Sequence, residues 1–561
     1  MPACGRPPSR STPPLSTSSA PTPADQEKVM TFNSGPDFSR RSFLQRAGLL
    51  GFSVVGVGAA GSLLSACGPT NSTAAGGGAA AALKPGGVLK AALTGEPDSL
   101  DPAVSSVYTG AQVYDGIFSK LVDLGPDGSV VPRLATKWTA QDDKTWVFDL
   151  ADNAYFHNGE KFSAADVKYT FERILDPKTA SAYAPLYTPI DSIEVVSPTQ
   201  VIFHLKSSFG PFLTNLANNG EIVNQKAIES KDPARNPVGT GPFQFVEWVQ
   251  GDHITLKKWD KYFRSGRPYF DEVDFRFLLV DQSRVDALSA GEINWADAVP
   301  LQQLPTLSKD PRFTYKTSPV AGIPDFLAMN VAKAPFNKKE VRQAIAWAID
   351  RKVIKDIAYF GSGEVGVQEV PSGSPWYDGV DPFAAGPNLD KAKQLLAAAG
   401  YPNGLTIHYL GLPQYPELLK TGEIVAEALK KIGITMQIEQ VDVSVWFDRY
   451  SKGDYEITSA YQERTIDPDN FYSLVARTGG SINSMKYSNP ALDKLIDQAA
   501  SSTDMAERKK LYTQIRAIVQ DDCPLIFTHY ETLNYLMQKN VSGSVVNPTL
   551  ELNLEDVAFT G

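Results

Sequence analysis

Thr406-Ile407-His408-Tyr409-Leu410, a helical run through Leu429 closed by Gly433, and the stretch from Ile434 to Val441 form a strand–helix–strand unit. Such a unit commits its part of the chain to a parallel sheet with helices on its faces, because parallel neighbours need a crossover long enough to hold a helix. The same alternation runs from about Thr317 to Phe527. Phe326-Leu327-Ala328-Met329-Asn330 has strand character, and Val341, Ile345, Ala348, Ile349, Val353 and Ile357 recur at helical spacing. Residues 390–399 read as a helix with Asp390 at its start and Gly400 as its left-handed cap. Nearer the start, residues 88–93 form a short apolar strand, and 146–150 and 201–205 read as half-buried strands. Between the last two, Ser163-Ala164-Ala165-Asp166 opens a helix whose Val167, Phe171, Ile174 and Leu175 share one face, and Asp176-Pro177 ends it. Two α/β lobes of this kind leave a crevice, the natural place for a ligand.

Upstream lies a different kind of segment. Ser39-Arg40-Arg41-Ser42-Phe43-Leu44 precedes a span rich in Gly, Ala and Ser that ends at Leu64-Ser65-Ala66-Cys67. Paired arginines, a short apolar span and small residues before a cysteine resemble a twin-arginine export signal joined to a lipidation site. Arg40 and Arg41 are then the export signal and Cys67 the lipidated residue. A transmembrane helix over 47–66 is the other reading, but its small residues partition weakly. Gly56-Val57-Gly58-Ala59-Ala60-Gly61 imitates a dinucleotide loop, yet the flexible Ala75-Gly76-Gly77-Gly78-Ala79 stands where that fold needs an acidic residue. Met30 is a possible true start.

With the working protein beginning at Cys67, 495 of the 561 residues remain, enough for two or three cores. Charge is −10 overall; six basic and three acidic residues precede Cys67, so the remainder carries about −13. An acidic surface argues against nucleic acid and against broad adhesion to anionic lipid. Of three cysteines, Cys4 falls in the presequence and Cys67 takes the lipid. Only Cys523, read as a buried thiol in an apolar strand, is left, so no intrachain disulfide is expected. Stability must come from burial.

Several short motifs then occur in order. Pro97-Asp98-Ser99-Leu100-Asp101-Pro102 precedes Pro132-Arg133-Leu134-Ala135 with Trp138, and then Phe156-His157-Asn158-Gly159-Glu160 with Phe162. Gly239-Thr240-Gly241-Pro242-Phe243 follows, and then Val341-Arg342-Gln343-Ala344 with Ala348-Ile349-Asp350-Arg351. Together they resemble the family 5 extracellular solute-binding proteins, the dipeptide, oligopeptide and nickel-binding components of ABC importers, over about residues 87–557. The resemblance implies an α/β, periplasmic-binding-protein-like fold (class II, cluster C), a two-lobed Venus flytrap with an extra inserted domain. Its expected organisation is a signal region over 1–66, a lipidated cysteine and linker over 67–86, domain I from 87–118, 239–316 and 527–561, domain II over 119–238, and domain III over 317–526. Hinge crossings fall near Thr317 and Phe527. Capture without chemistry is implied, by a monomer that needs no cofactor or metal, is held to the membrane by its lipid, and delivers a peptide or other small polar solute to a permease with its ATPase subunits. The place of work is outside the cytoplasm.

In dipeptide-binding members an aspartate three residues ahead of an Asp-Pro-Asp-Asn-Phe run holds the ligand's amine, and an arginine before a proline holds its carboxylate. Here the run is Asp467-Pro468-Asp469-Asn470-Phe471, with Arg464 at the amine position and Leu412, before Pro413, at the carboxylate position. A cation cannot pair with an ammonium group, and leucine cannot fork to a carboxylate. A free dipeptide is therefore not expected to be held in that way, and Arg464 favours a neutral polar or anionic group. The resemblance brings Tyr108, Leu412, Gln414, Trp446, Tyr461, Gln462, Arg464 and Asp467 to the crevice as candidate ligand contacts. Core or rim packing is the competing reading for the aromatic residues, loop ordering for Asp467, and a surface salt bridge with Glu463 or Asp467 for Arg464.

An enzyme needs a constellation. His157, His204, His253, His408 and His529 show no metal-ligand spacing, and neither a Gly-x-Ser-x-Gly elbow nor a Walker loop occurs. His157 reads as a structural hydrogen-bonding residue. A secreted hydrolase using two distant acids, and a surface adhesin or chaperone without transport, remain alternatives.

Overall fold

The protein is described here by a computed structural model covering residues 83–105, 107–462, 465–543 and 552–561. The signal segment with Arg40 and Arg41, the lipidation candidate Cys67 and Arg464 lie outside these residues.

An 11-stranded sheet runs through the molecule. Its strands follow the order Ile434–Gln440, Leu405–Gly411, Ile457–Tyr461, Phe313–Met329, Leu525–Gln538, Trp295–Asp297, Val88–Leu93, Glu272–Phe277, His253–Lys258 and Phe243–Val249, with Glu364–Val365 pairing beside Leu525–Gln538. The strand–helix–strand unit is as the sequence predicts: Leu405 to Gly411 pair in parallel with Ile434 to Gln440 across the helix Pro416–Lys430. Glycine is required where this unit turns. A Cβ on Gly404 would lie 1.9 Å from the Gly433 carbonyl oxygen, and both residues have positive φ.

A separate four-stranded antiparallel sheet pairs Ala135–Ala140, Thr145–Leu150, Gln200–Leu205 and Ile190–Ser197 in that order. Buried and half-buried residues alternate along Gln200–Leu205, so one face rests on a core and the other meets water. The helix Ala164–Leu175 covers that core with Val167, Phe171 and Ile174, and the Ser163 amide donates to Asp166 at 2.9 Å at its start. Phe148, Phe171, Phe203 and Phe212 pack there in edge-to-face pairs. A second core joins residues from 89 to 118, 223 to 295 and 535 to 557. Two more lie in the region 326–527. The result is an α/β fold of two lobes with an additional inserted body.

Three local expectations change. The helical spacing from Val341 to Ile357 is carried by two helices, Lys339–Ala348 and Arg351–Ala358. Ile349 is extended, and the Asp350 carboxylate accepts from the amides of Lys352 and Val353, so a new cap outcompetes continuation. The helix Leu389–Ala398 is capped by Asn388 rather than Asp390, while Gly400 is left-handed as expected. Cys523 is a buried thiol, but it ends the helix Met505–Asp522 in a left-handed conformation instead of lying in a strand. Burial pushes its thiol up to about 12.

One buried carboxylate ties distant parts of the chain. Glu555, 2% exposed, accepts from Arg133, from Arg264 and from Tyr262 Oη, the last at 2.6 Å. Removing an acid from such a cluster leaves Arg133 largely buried without full compensation. Glu555→Ala is expected to lower unfolding stability by about 3 kcal/mol, read from the urea midpoint at pH 7; an unchanged midpoint would contradict this role.

Candidate functional site

Two strands connect the lobes. Phe313–Met329 and Leu525–Gln538 pair antiparallel along most of their lengths, but the register breaks between Thr317↔Asn534 and Gly322↔Thr532. It shifts again between Asp325 and Phe326. The breaks put irregular backbone midway along the pair, between the end that pairs with Trp295–Asp297 and the end that pairs with Ile457–Tyr461.

On the first lobe, Tyr108 begins the helix Tyr108–Tyr114. Gln112 Nε2 donates to Tyr108 Oη at 2.7 Å and to Asp297 Oδ2 at 2.8 Å. Burial, and then the Asp297 charge, hold the Tyr108 phenol well above its ordinary range; burial also raises Asp297. Tyr108 is thus a neutral hydroxyl on an ordered acid–amide support. Arg284, 1% exposed, fixes the adjoining turn by donating to the carbonyls of Asp297 and Ala298 at 3.1 and 2.8 Å.

On the second lobe, Asp325 sits beside Tyr461 across the sheet. Burial, and then the charge of Glu531, raise its carboxyl well above the usual range. Tyr359 stacks on His529 at 3.6 Å, and Tyr359 Oη, Thr421 Oγ1 and one Asp325 oxygen are neighbours that stop short of mutual hydrogen bonds. Tyr461 packs against Tyr415 with ring centroids 5.7 Å apart and hydroxyls 3.4 Å apart. Gln462 follows on the same strand, its backbone N–H donating to the Pro324 carbonyl at 3.3 Å.

The other candidates are placed differently. Leu412, 2% exposed, belongs to the apolar core. Trp446 is also core: it is 2% exposed, stacks on Tyr450 at 4.6 Å, and donates from Nε1 to Thr458 Oγ1 at 3.0 Å. Its apolar area outweighs any rim position once that one polar atom has a partner. Gln414 is exposed and reaches Asp442 at 3.4 Å. Both oxygens of Asp467 are taken by Arg508, at 2.7 and 2.8 Å, and Asp467 also accepts from the Asp469 amide. It orders the loop, which is the competing reading given above. Burial, and then Asp467, push Asp469 up to about 6.

Sequence reading missed Gln112, Asp297, Asp325, Tyr359 and Tyr415. Asp325 carried a signal, a lone acid opening the apolar run 326–329. The inserted body touches the second lobe in this structure: the Gly210 backbone N–H donates to the Ala500 carbonyl at 2.7 Å, and Ile466 packs on the core of the inserted body.

Residues 129–483 match the family described as bacterial extracellular solute-binding proteins, family 5 Middle. The chain belongs to this family. It is a binding protein of ABC transporters rather than an enzyme. It is 31% identical over 477 residues to a probable D,D-dipeptide-binding periplasmic protein of Escherichia coli (strain K12), covering 81% of this chain and 91% of that protein. The binding protein AgaA of A. tumefaciens R10, solved with agropinic acid, is 31% identical and superposes with a TM-score of 0.73 over 85% of this chain and 99% of its own. DppA of Helicobacter pylori, solved with the peptide STSA, is 27% identical with a TM-score of 0.74, again over 85% and 99%. The two-lobed solute-binding fold and the family's extracytoplasmic setting follow.

His157 and His529 make the family scaffold sensitive to acid. His157 Nε2 donates to the Gly241 carbonyl at 3.0 Å, and burial lowers its pKa to about 4. Burial lowers His529 to about 3. Unfolded histidine titrates near 6.5, so between that pH and 4 the unfolded chain binds more protons. Stability from both residues is complete above about pH 6.5 and falls as the pH drops toward 4. His529→Phe should flatten this fall by up to about 1.4 kcal/mol per pH unit, measured by urea unfolding at pH 7 and pH 4.5; an unchanged slope would contradict it.

Proposed function

We propose that this protein is the lipid-anchored receptor of an importer. It captures a peptide-like or other small polar solute between its lobes and presents it to a permease driven by ATPase subunits. The observation that carries this reading is the pair of long strands shared by both lobes with broken register at the crevice, which is where a hinge would absorb backbone rotation. In this reading domain I is built from 87–118, 239–316 and 527–561, domain II spans 119–238, and domain III spans 317–526, with crossings near Thr317 and Phe527.

Ligand contact is assigned to Tyr108, Tyr461 and Gln462, joined by Tyr415, and to Arg464 as a partner for a neutral or anionic group. Aromatic faces stack on flat or apolar parts of a solute while their hydroxyls serve its polar groups. The D,D-dipeptide, agropinic acid and STSA named for the relatives mark the range of solutes this scaffold holds. The amine and carboxylate anchors of the dipeptide mode are replaced here by Arg464 and by Leu412, which is buried in the core. Calorimetric titration should therefore give weak or no binding of free Ala-Ala. Tight binding that survives Arg464→Ala would contradict this assignment.

Cys67 holds the receptor beside its permease, and the Gly- and Ala-rich stretch 68–82 lets it move across the membrane surface; the expected linker is shorter than 67–86, because Leu83 and Lys84 already pair as a strand with Thr560 and Phe559. Cys67→Ser should release the protein from membranes during fractionation while the purified protein keeps its ligand affinity. Uptake that stays normal with all of the protein released would show that the anchor has no transport role. A secreted hydrolase would instead consume candidate solutes when purified.

A further inference from the structure

The segment 465–467, just beyond Tyr461 and Gln462, is gripped from two bodies. Thr465 and Asp467 are 3% and 0% exposed and are held by the second lobe. Thr465 Oγ1 donates to the Glu369 carbonyl at 3.2 Å, and the Asp467 carboxylate accepts from Arg508 Nη1 and Nη2 at 2.8 and 2.7 Å. Ile466, between them, packs instead on the apolar core of the inserted body. Three consecutive residues thus join the two.

Arg508 is the junction of this grip. Besides Asp467 it serves the end of the helix Pro490–Ser501, where its Nε donates to the Ala499 carbonyl at 3.0 Å. The last carbonyls of a helix have no partner within it. The next one, Ala500, is taken by the inserted body, through the Gly210 backbone N–H at 2.7 Å. Gly210 also lies against the guanidinium: a Cβ there would be 2.9 Å from Arg508 Nε and 2.1 Å from the Ser502 carbonyl oxygen. Glycine lets the two backbones come this close, and the Arg508 side chain beneath is 4% exposed. An ion pair shut away from water is held more tightly than one the solvent screens.

We infer that Arg508 is a positioning residue that couples docking of the inserted body to the order of the segment behind Tyr461 and Gln462. The inserted body, which supplies none of the candidate solute contacts, then acts on solute binding through Arg508. That bearing on binding rests on the solute-capture reading above; the coupling itself does not. Undocking lets water reach Arg508 and loosens its hold on Asp467, and loosening the segment withdraws Ile466 from the inserted body. Linkage requires each effect to produce the other.

Hydrogen exchange of the full-length protein, without any solute, reads both ends. The Gly210 N–H reports docking. The backbone N–H groups of Asp469 and Asn470, which donate to the Asp467 carboxylate and carbonyl at 3.0 Å each, report the segment. Gly210 is not left-handed, and the nearest atoms to its added Cβ all belong to the second lobe, so Gly210→Ala wedges the bodies apart and leaves each one's own fold intact. It should speed exchange at Asp469 and Asn470 at least about fivefold, the scale of one net hydrogen bond. Ile466→Ala should speed exchange at Gly210 to a similar extent. The strand Leu405–Gly411 should keep its wild-type rates, which a general loss of stability would not allow. In an Arg508→Lys background, where one ammonium cannot serve Asp467 and Ala499 together, Gly210→Ala should add less than about twofold. Wild-type rates at Asp469 and Asn470 in Gly210→Ala, or at Gly210 in Ile466→Ala, would overturn the coupling and leave solute capture standing. So would a rise shared equally by Leu405–Gly411, or a full effect of Gly210→Ala in the lysine background.

Discussion

The antiparallel pairing of Phe313–Met329 with Leu525–Gln538 is the constraint on which the rest of the molecule depends. These strands extend the sheet of each lobe into the other, so neither lobe can be rearranged without disturbing hydrogen bonds shared with its partner. Both carry unpaired or shifted residues midway along the pair. A ladder that is continuous at its ends and broken in its middle restricts motion to a few backbone torsions, and it keeps the residues on either side in fixed relation to their own lobe.

The polar groups proposed to meet the solute are held by this arrangement. Tyr108 is set by Gln112 and Asp297, and Asp297 lies on the strand that pairs with the first-lobe end of Leu525–Gln538. Tyr461 and Asp325 sit opposite each other at the second-lobe end of Phe313–Met329. Buried ion pairs such as Arg508–Asp467 and Arg516–Glu369 shape the second lobe around them. Pairs of that kind add little net stability when compared with apolar packing, but they become costly once one member is lost, so the loops they order have few alternatives.

Much of this was legible in the residues. The parallel unit at 405–440 is announced by periodicity and by Gly433, and the helix at 164–175 by its capping acid, because such signals are local. The break at Asp350 was harder to read: the apolar spacing continues through it, and a two-amide cap competes with that pattern. Motif position brings Leu412 and Trp446 to the crevice, yet burial of their apolar surface puts them in the core. Gln112, Asp297 and Tyr415 are silent in the sequence because their significance arises from contacts between residues as much as 185 positions apart. Local pattern finds elements; the crevice is made of distances between them.

Capture by closure is the central claim, and a distance between the lobes tests it most directly. Spin labels at Lys178→Cys and Lys494→Cys, both exposed and on opposite sides of the crevice, can be followed by pulsed dipolar spectroscopy with and without a tryptic peptide digest. The account predicts a long or broad distribution without peptides that shifts to a single shorter distance when they are added. One unchanged distribution in both conditions, with peptide binding verified calorimetrically, would contradict it.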